Sequence, residues 1–139
     1  MALALEIITP DGVVWHNDNV ESITLPTTSG EIQILAGHIP LITMLEAGGV
    51  GAVINGREED IAIDRGYARI MGDTVSVLTE AAVDVEHLDM GDIEKARAQA
   101  LKAVEDAKKN RVVDDDEMER LEAVARFAIA QMLAKAKHK

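Results

Sequence analysis

A chain of 139 residues with a net charge of −11, 47% apolar side chains and no cysteine fits one domain, or one domain with a small appendage. The missing cysteines exclude disulfides, thiol catalysis and thiolate metal sites, and the acidity disfavours a nucleic-acid role because carboxylates repel phosphates. Trp15, Tyr67 and Phe127 are the only aromatic residues, so the core has to be aliphatic.

Up to Glu86 the chain shows short apolar runs broken by turn residues. The pattern predicts strands over residues 4–9, 13–15, 20–26, 31–35, 50–54, 59–63, 67–71, 74–79 and 82–85. Asn55-Gly56 is a strong hairpin signal, since both residues tolerate the positive φ of a type I′ turn, and Gly72-Asp73 separates another pair. Many short strands at even spacing indicate an antiparallel sandwich or barrel. After Leu88 the period changes. Ile93, Ala96, Ala100, Val104 and Ala107 recur at helical steps, as do Leu121, Ala125, Ala128 and Met132. Asn110 is a stop for the first helix, with Lys108, Lys109 and Arg111 at its negative dipole end. Asp114, Asp115 and Asp116 offer an N-cap and an acidic first turn to the second. Two helices of about twenty residues with a short link make an antiparallel hairpin. The expected organisation is α+β: a β-sandwich over 1–87, of about ten strands, then a two-helix hairpin over 88–139.

Charge divides along the same line. Residues 1–88 carry three basic and fourteen acidic side chains, and residues 89–139 carry eleven of each, so the whole net charge lies in the front part. The hairpin seam is mostly alanine, which buries little apolar area at roughly 25 cal/mol per Å². Such a hairpin is marginal alone, and elements that move are drawn from the low-stability end of a structure. A mobile arm and a permanently docked hairpin are equally open at this point.

No catalytic grammar is visible. His16, His38, His87 and His138 lack metal-ligand spacing, and Ser22, Ser29 and Ser76 lie in no G-x-S-x-G elbow. There is no phosphate-binding glycine loop. The N-terminus lacks a secretory pattern, and no run approaches the ~18 apolar residues of a membrane span, so membrane association is expected through partners. These absences favour a binding or coupling protein with no cofactor and no metal.

The most informative stretch is Gly30-Glu31-Ile32-Gln33-Ile34-Leu35-Ala36-Gly37-His38-Ile39-Pro40-Leu41. It resembles the hallmark of the epsilon-subunit family of F-type ATP synthases, Gly-Glu-Leu-Gly-(Ile/Val)-Leu-x-Gly-His-x-Pro-Leu. Ile8-Thr9-Pro10-Asp11-Gly12, Gly66-Tyr67-Ala68-Arg69-Ile70 and Val75-Ser76-Val77-Leu78 match further family segments. The matches cover the first two thirds of the chain. The resemblance implies a non-catalytic rotor-stalk subunit: a ten-stranded sandwich that binds the gamma subunit and rests on the c-subunit ring, and a helical arm that blocks ATP hydrolysis when it extends toward the alpha and beta subunits. It places Glu31, with its neighbour Ser29, near the c-ring loops, and His38, Ile39, Leu41 and Thr43 on the gamma-facing side. Arg120, Arg126, Lys135 and Lys137 would meet acidic segments of beta in the extended state, although singly each reads as a solvated helix charge. The implied location is peripheral, on the cytoplasmic face of a bacterial plasma membrane or the stromal face of a thylakoid. Some family members bind ATP between the helices through (Ile/Leu)-Asp-x-x-Arg-Ala. Here Leu88-Asp89 puts Asp92 and Ile93 where Arg and Ala belong, and the shifted register from Gly91-Asp92 offers Lys95 for the arginine, a point charge without its fork. ATP binding is therefore disfavoured. A free-standing nucleotide-sensing module is the alternative reading, and a small enzyme using carboxylates on the sandwich is a remote one.

Overall fold

The computed structural model describes residues 2–38, 40–110 and 114–137. Ten strands come first: β1 (Leu3–Thr9), β2 (Gly12–Val20), β3 (Ser22–Thr27), β4 (Gly30–Leu35), β5 (Leu41–Leu45), β6 (Gly48–Ile54), β7 (Arg57–Ile63), β8 (Gly66–Met71), β9 (Thr74–Thr79) and β10 (Ala82–Asp84). A single 3₁₀ turn, Val85–His87, leads to α1 (Met90–Asn110) and α2 (Asp115–Lys137). The strand pairing runs β10-β7-β6-β3-β5-β8-β9-β1-β2, with β4 attached to β3. β5 meets β3 through Thr27↔Leu45. The ladder thus folds into two five-stranded layers, β4-β3-β6-β7-β10 and β5-β8-β9-β1-β2, that close on one core. The fold is the expected sandwich followed by two helices.

Alternation explains the layers. In β1, Leu3, Leu5 and Ile7 are fully buried while the residues between them are not, and Val75 and Val77 do the same on β9. These side chains join Ile23, Leu25, Ile34, Val50, Ile61, Ile63 and Ile70 in one aliphatic cluster, with Trp15 packed at its margin. All the members of that core come from the strands. The Asn55-Gly56 turn is formed as expected, with φ of 53° and 77° between the paired residues Ile54 and Arg57.

Three details differ from the sequence expectation. β5 is an additional strand: Leu41-Ile42-Thr43-Met44-Leu45 is apolar on both faces and so has no period-2 signature. β2 spans nine residues and takes Val20, and a bend at Glu21 separates it from β3. The β1–β9 pair is parallel, which no local signal announces because it joins the first strand to the ninth.

Both helices begin at an aspartate cap. Asp89 Oδ1 accepts from Gly91 N at 2.7 Å, and Asp114 Oδ1 accepts from Glu117 N at 2.8 Å, which satisfies donors that have no partner inside the helix. In α1 the buried positions are Ile93, Ala100 and Ala107, a seven-residue spacing that forms the seam with α2; Ala96 is exposed. α2 lies across the outer face of β6 and β7. It can approach closely because Gly49 has no side chain: a Cβ there would stand 3.1 Å from Ala134 Cβ and 3.2 Å from Ala134 Cα. Ala62, Val85 and Ala134 are buried together at this contact, with Phe127, Leu88 and Val83 around them.

Candidate interaction surfaces

The strand registers define two ends of the sandwich. One end gathers the turns at residues 10–11, 28–29, 46–47, 64–65 and 80–81, and the other gathers those at 21, 36–40, 55–56 and 72–73. Glu31 and Ser29 sit at the first end and are exposed. The tight turn before Glu31 is closed by the Thr27 hydroxyl, which donates to the Gly30 carbonyl and accepts from Ser29 N at 3.2 Å. Asp11, Glu46 and Glu80 are also exposed at this end, with Arg65 as the basic residue among them. His38 lies at the opposite end, half-buried, its N–H donating to Leu35 O at 3.2 Å. Gly37 beside it takes a φ of 82° and donates to Asp73 Oδ1 at 3.2 Å. Ile39 lies outside the described residues. Glu31 and His38 are thus separated by the length of the sheet and belong to different surfaces.

Leu41 and Thr43 begin β5, and the register opposes them to buried Ile70 and Ala68. Thr43 is half-buried and turned toward the core side. The opposite parity faces out: Ile42 is 71% and Met44 62% exposed. Across the ladder Met44 faces Tyr67 and Ile42 faces Arg69, with Met71 exposed beyond. Arg69 lays its guanidinium against the Met71 sulfur, 2.9 Å from Nη2. The outcome is a continuous apolar strip on the outside of β5 and β8, of the kind that marks an interaction site.

The basic residues of α2 divide. Arg120 is exposed. Arg126 is drawn onto the sandwich instead of being solvated: its Nε lies 2.6 Å from Asp64 Oδ1 and its Nη2 3.1 Å from Oδ2. Asp64 is 4% exposed. The hydrogen bond to Asp64 pushes the Arg126 pKa up, against the opposing effect of burial, and the charges of Asp64, Glu119 and Glu122 add to the rise. Lys135 Nζ donates to Val85 O at 3.1 Å and Glu86 O at 3.3 Å. α2 is therefore tied at two points, to Asp64 at the end of β7 and to the backbone of the 3₁₀ turn after β10. Nothing is described of the Lys137 side chain. Beside the Arg126 contact an apolar cleft of about 310 Å³ opens between the helices, lined by Leu101, Val104, Ile129, Ala47, Lys108 and Glu122 among others. Among the described residues no cluster of His, Asp or Glu could hold a metal ion.

Residues 2–85 match the family model described as the ATP synthase delta/epsilon chain, beta-sandwich domain. The chain belongs to this family. It is 36% identical over 98 residues to the ATP synthase epsilon chain of Staphylococcus aureus strain JH9, covering 70% of this chain and 73% of that one, and the same figures hold for the strain Newman protein. Two solved structures share the fold. A chain of the Euglena gracilis mitochondrial ATP synthase (OSCP/F1/c-ring in rotational state 1) superposes with a TM-score of 0.72 at 23% identity, over 99% of this chain and 82% of that one. A chain of the Tetrahymena thermophila mitochondrial ATP synthase central stalk and c-ring gives 0.53 at 14% identity, over 98% and 96%.

As an ATP synthase epsilon-family member the chain is a non-catalytic subunit. Reading the family stretch by residue pointed at His38, Ile39, Leu41 and Thr43 and did not name Ile42 and Met44, which carry the exposed strip. The signal was present as four apolar residues around Thr43, but only the strand parity shows which members face out. Asp64 was also missed. It stands alone in sequence, and its partner lies 62 residues away.

Proposed function

We propose that this epsilon-family subunit works in the central stalk of an F-type ATP synthase as a mechanical coupler: the sandwich binds the gamma subunit and rests on the c-subunit ring, and the helices restrain ATP hydrolysis when they extend toward the alpha and beta subunits. The observation that carries the reading is the apolar strip of Ile42, Met44, Tyr67 and Met71 on β5 and β8. Exposed apolar area of this kind needs a partner, and the strip adjoins the His38–Leu41 segment whose family counterpart faces gamma. The acidic end with Glu31, Glu46, Asp11 and Glu80 suits basic loops on a second partner, the role given to the c-ring. A rigid sandwich between two partners transmits torque without chemistry.

The units that fit this work are residues 1–87 as the coupling body and 88–139 as the regulatory arm. Among the described residues no helix is long and apolar enough to cross a membrane. The subunit is held peripherally, on the cytoplasmic face of a bacterial plasma membrane, through the complex. Amide exchange of the chain with and without gamma and c-ring tests the assignment. Gamma should protect β5 and β8, and the ring should protect the turns at 10–11, 28–31 and 46–47. Protection that avoids β5 and β8 would remove the gamma-facing assignment.

A further inference from the structure

We propose that Arg126 is a two-position latch: paired with Asp64 it holds the helical arm docked, and paired with Glu122 on its own helix it stabilises the released arm. The inference rests on the reading of the hairpin as a releasable arm. The closest approach under α2 is made by small groups, Gly49, Ala62 and Ala134, which bury little area each, with Val85 and Phe127 packed beside them. The contact that stands out is ionic and bidentate, between the buried Asp64 carboxylate and Arg126, whose side chain is 26% exposed. Paired planar forks of this kind are directional as well as strong.

The two halves of the latch are built differently. Asp64 belongs to the sandwich. Its N–H donates to Ala81 O at 3.0 Å, its carbonyl accepts from the Thr79 hydroxyl at 2.9 Å, and Oδ1 also accepts from Arg65 N at 2.8 Å. The carboxylate is aimed before the arm arrives. Arg126 belongs to the arm, and Glu119 and Glu122 both act on it electrostatically. Glu122 precedes Arg126 by four residues, the spacing and order at which an acid and a base pair along a helix. Release therefore exchanges one carboxylate for another instead of leaving the guanidinium bare, which lowers the cost of opening. Glu122 also lines the cleft between the helices beside Arg126.

The test uses the full-length chain alone. With no native cysteine, Asp11→Cys and Ala136→Cys, both at exposed positions, are the sole attachment points for spin labels. Distances are read by pulsed electron resonance across a urea series that brackets half-release of the parent protein. Arg126→Gln and Asp64→Asn should each raise the released-to-docked ratio about tenfold or more, the scale of losing a hydrogen bond to a charged group. The double variant should release no more than either single one. Arg126→Lys should fall between, because it keeps charge without the fork. Glu122→Gln should act with the opposite sign and favour docking, which damage to the packing would not do. Additive effects of Asp64→Asn and Arg126→Gln, or release by Glu122→Gln, would overturn the latch. If Asp64→Asn weakens the sandwich itself, the two Arg126 variants and Glu122→Gln still decide. A parent distance that never lengthens short of sandwich unfolding would overturn the arm reading instead, so the two failures are distinguishable.

Discussion

Replacing Gly49 with valine should release α2 while leaving the sandwich intact or slightly more stable. The Cβ alone would lie 3.1 Å and 3.2 Å from two Ala134 atoms, inside the ~3.5–4.0 Å at which carbons attract one another. Two further methyls cannot be placed without moving the helix, and overpacking of this kind costs ~1–3 kcal/mol. Against it stand the methyls of Ala130 and Ala134, buried to 1% and 0% and worth ~0.8 kcal/mol each, and the Arg126–Asp64 pair at ~1.5–3 kcal/mol. The penalty is comparable to these contacts, to which Phe127 packing and the Lys135 hydrogen bonds add, so a shift of the docked population by about tenfold, ~1.4 kcal/mol, is expected. Gly49 has no positive φ, and valine suits a strand better than glycine does, so β6 loses nothing. Amide exchange should show faster exchange across α2 with β6 and β7 unchanged, and the melting temperature of the sandwich should hold or rise. Unchanged exchange in α2, or loss of protection in the strands, would refute the packing account.

Met44→Asp, at a 62% exposed position, should weaken gamma binding without changing the melting temperature; titration calorimetry with each variant checks this, and unaltered affinity would remove the strip from the interface. Truncation after Asp89 should leave a cooperatively melting sandwich, since every member of the main core lies on the strands, and complexes carrying the truncated chain should hydrolyse ATP faster than intact ones. Asp114→Ala removes the acceptor for Glu117 N and should cost about 1 kcal/mol of α2 stability, read as lost helical ellipticity on heating. Arm docking should be flat from roughly pH 7 to 10: a guanidinium whose pKa is raised by folding contributes its full stabilisation below its ordinary value, and that contribution is lost only as pH climbs through the raised value, far above this window. The labelled chain used for the latch experiment reports it directly.

Particular residues show how far the sequence could be read. Asn55-Gly56 announced its hairpin because the positive φ at both positions restricts which residues can stand there. Asp114 announced the second helix for an equally local reason, as an acceptor for free amide donors. The switch from period two to helical steps after Leu88 separated strands from helices. What stayed hidden was non-local. β5 has no alternation because one of its faces is the core and the other is an exposed apolar strip, so the period-two signature is missing. Gly49 reads as one of several glycines in Gly48-Gly49-Val50-Gly51 until α2 is seen lying against it. Arg126 looked like one more solvated helix charge, and its docked role depends on a carboxylate whose burial is set by the tertiary structure. Glu31 and His38, seven residues apart in a single motif, are placed at opposite ends of the sheet by the length of β4 that runs between them.

The most direct test of the central claim is calorimetric titration of the full-length chain into purified gamma subunit from the same complex. Tight one-to-one binding, weakened by Met44→Asp, is the predicted result. Absence of binding to that gamma subunit would contradict the stalk-coupling account.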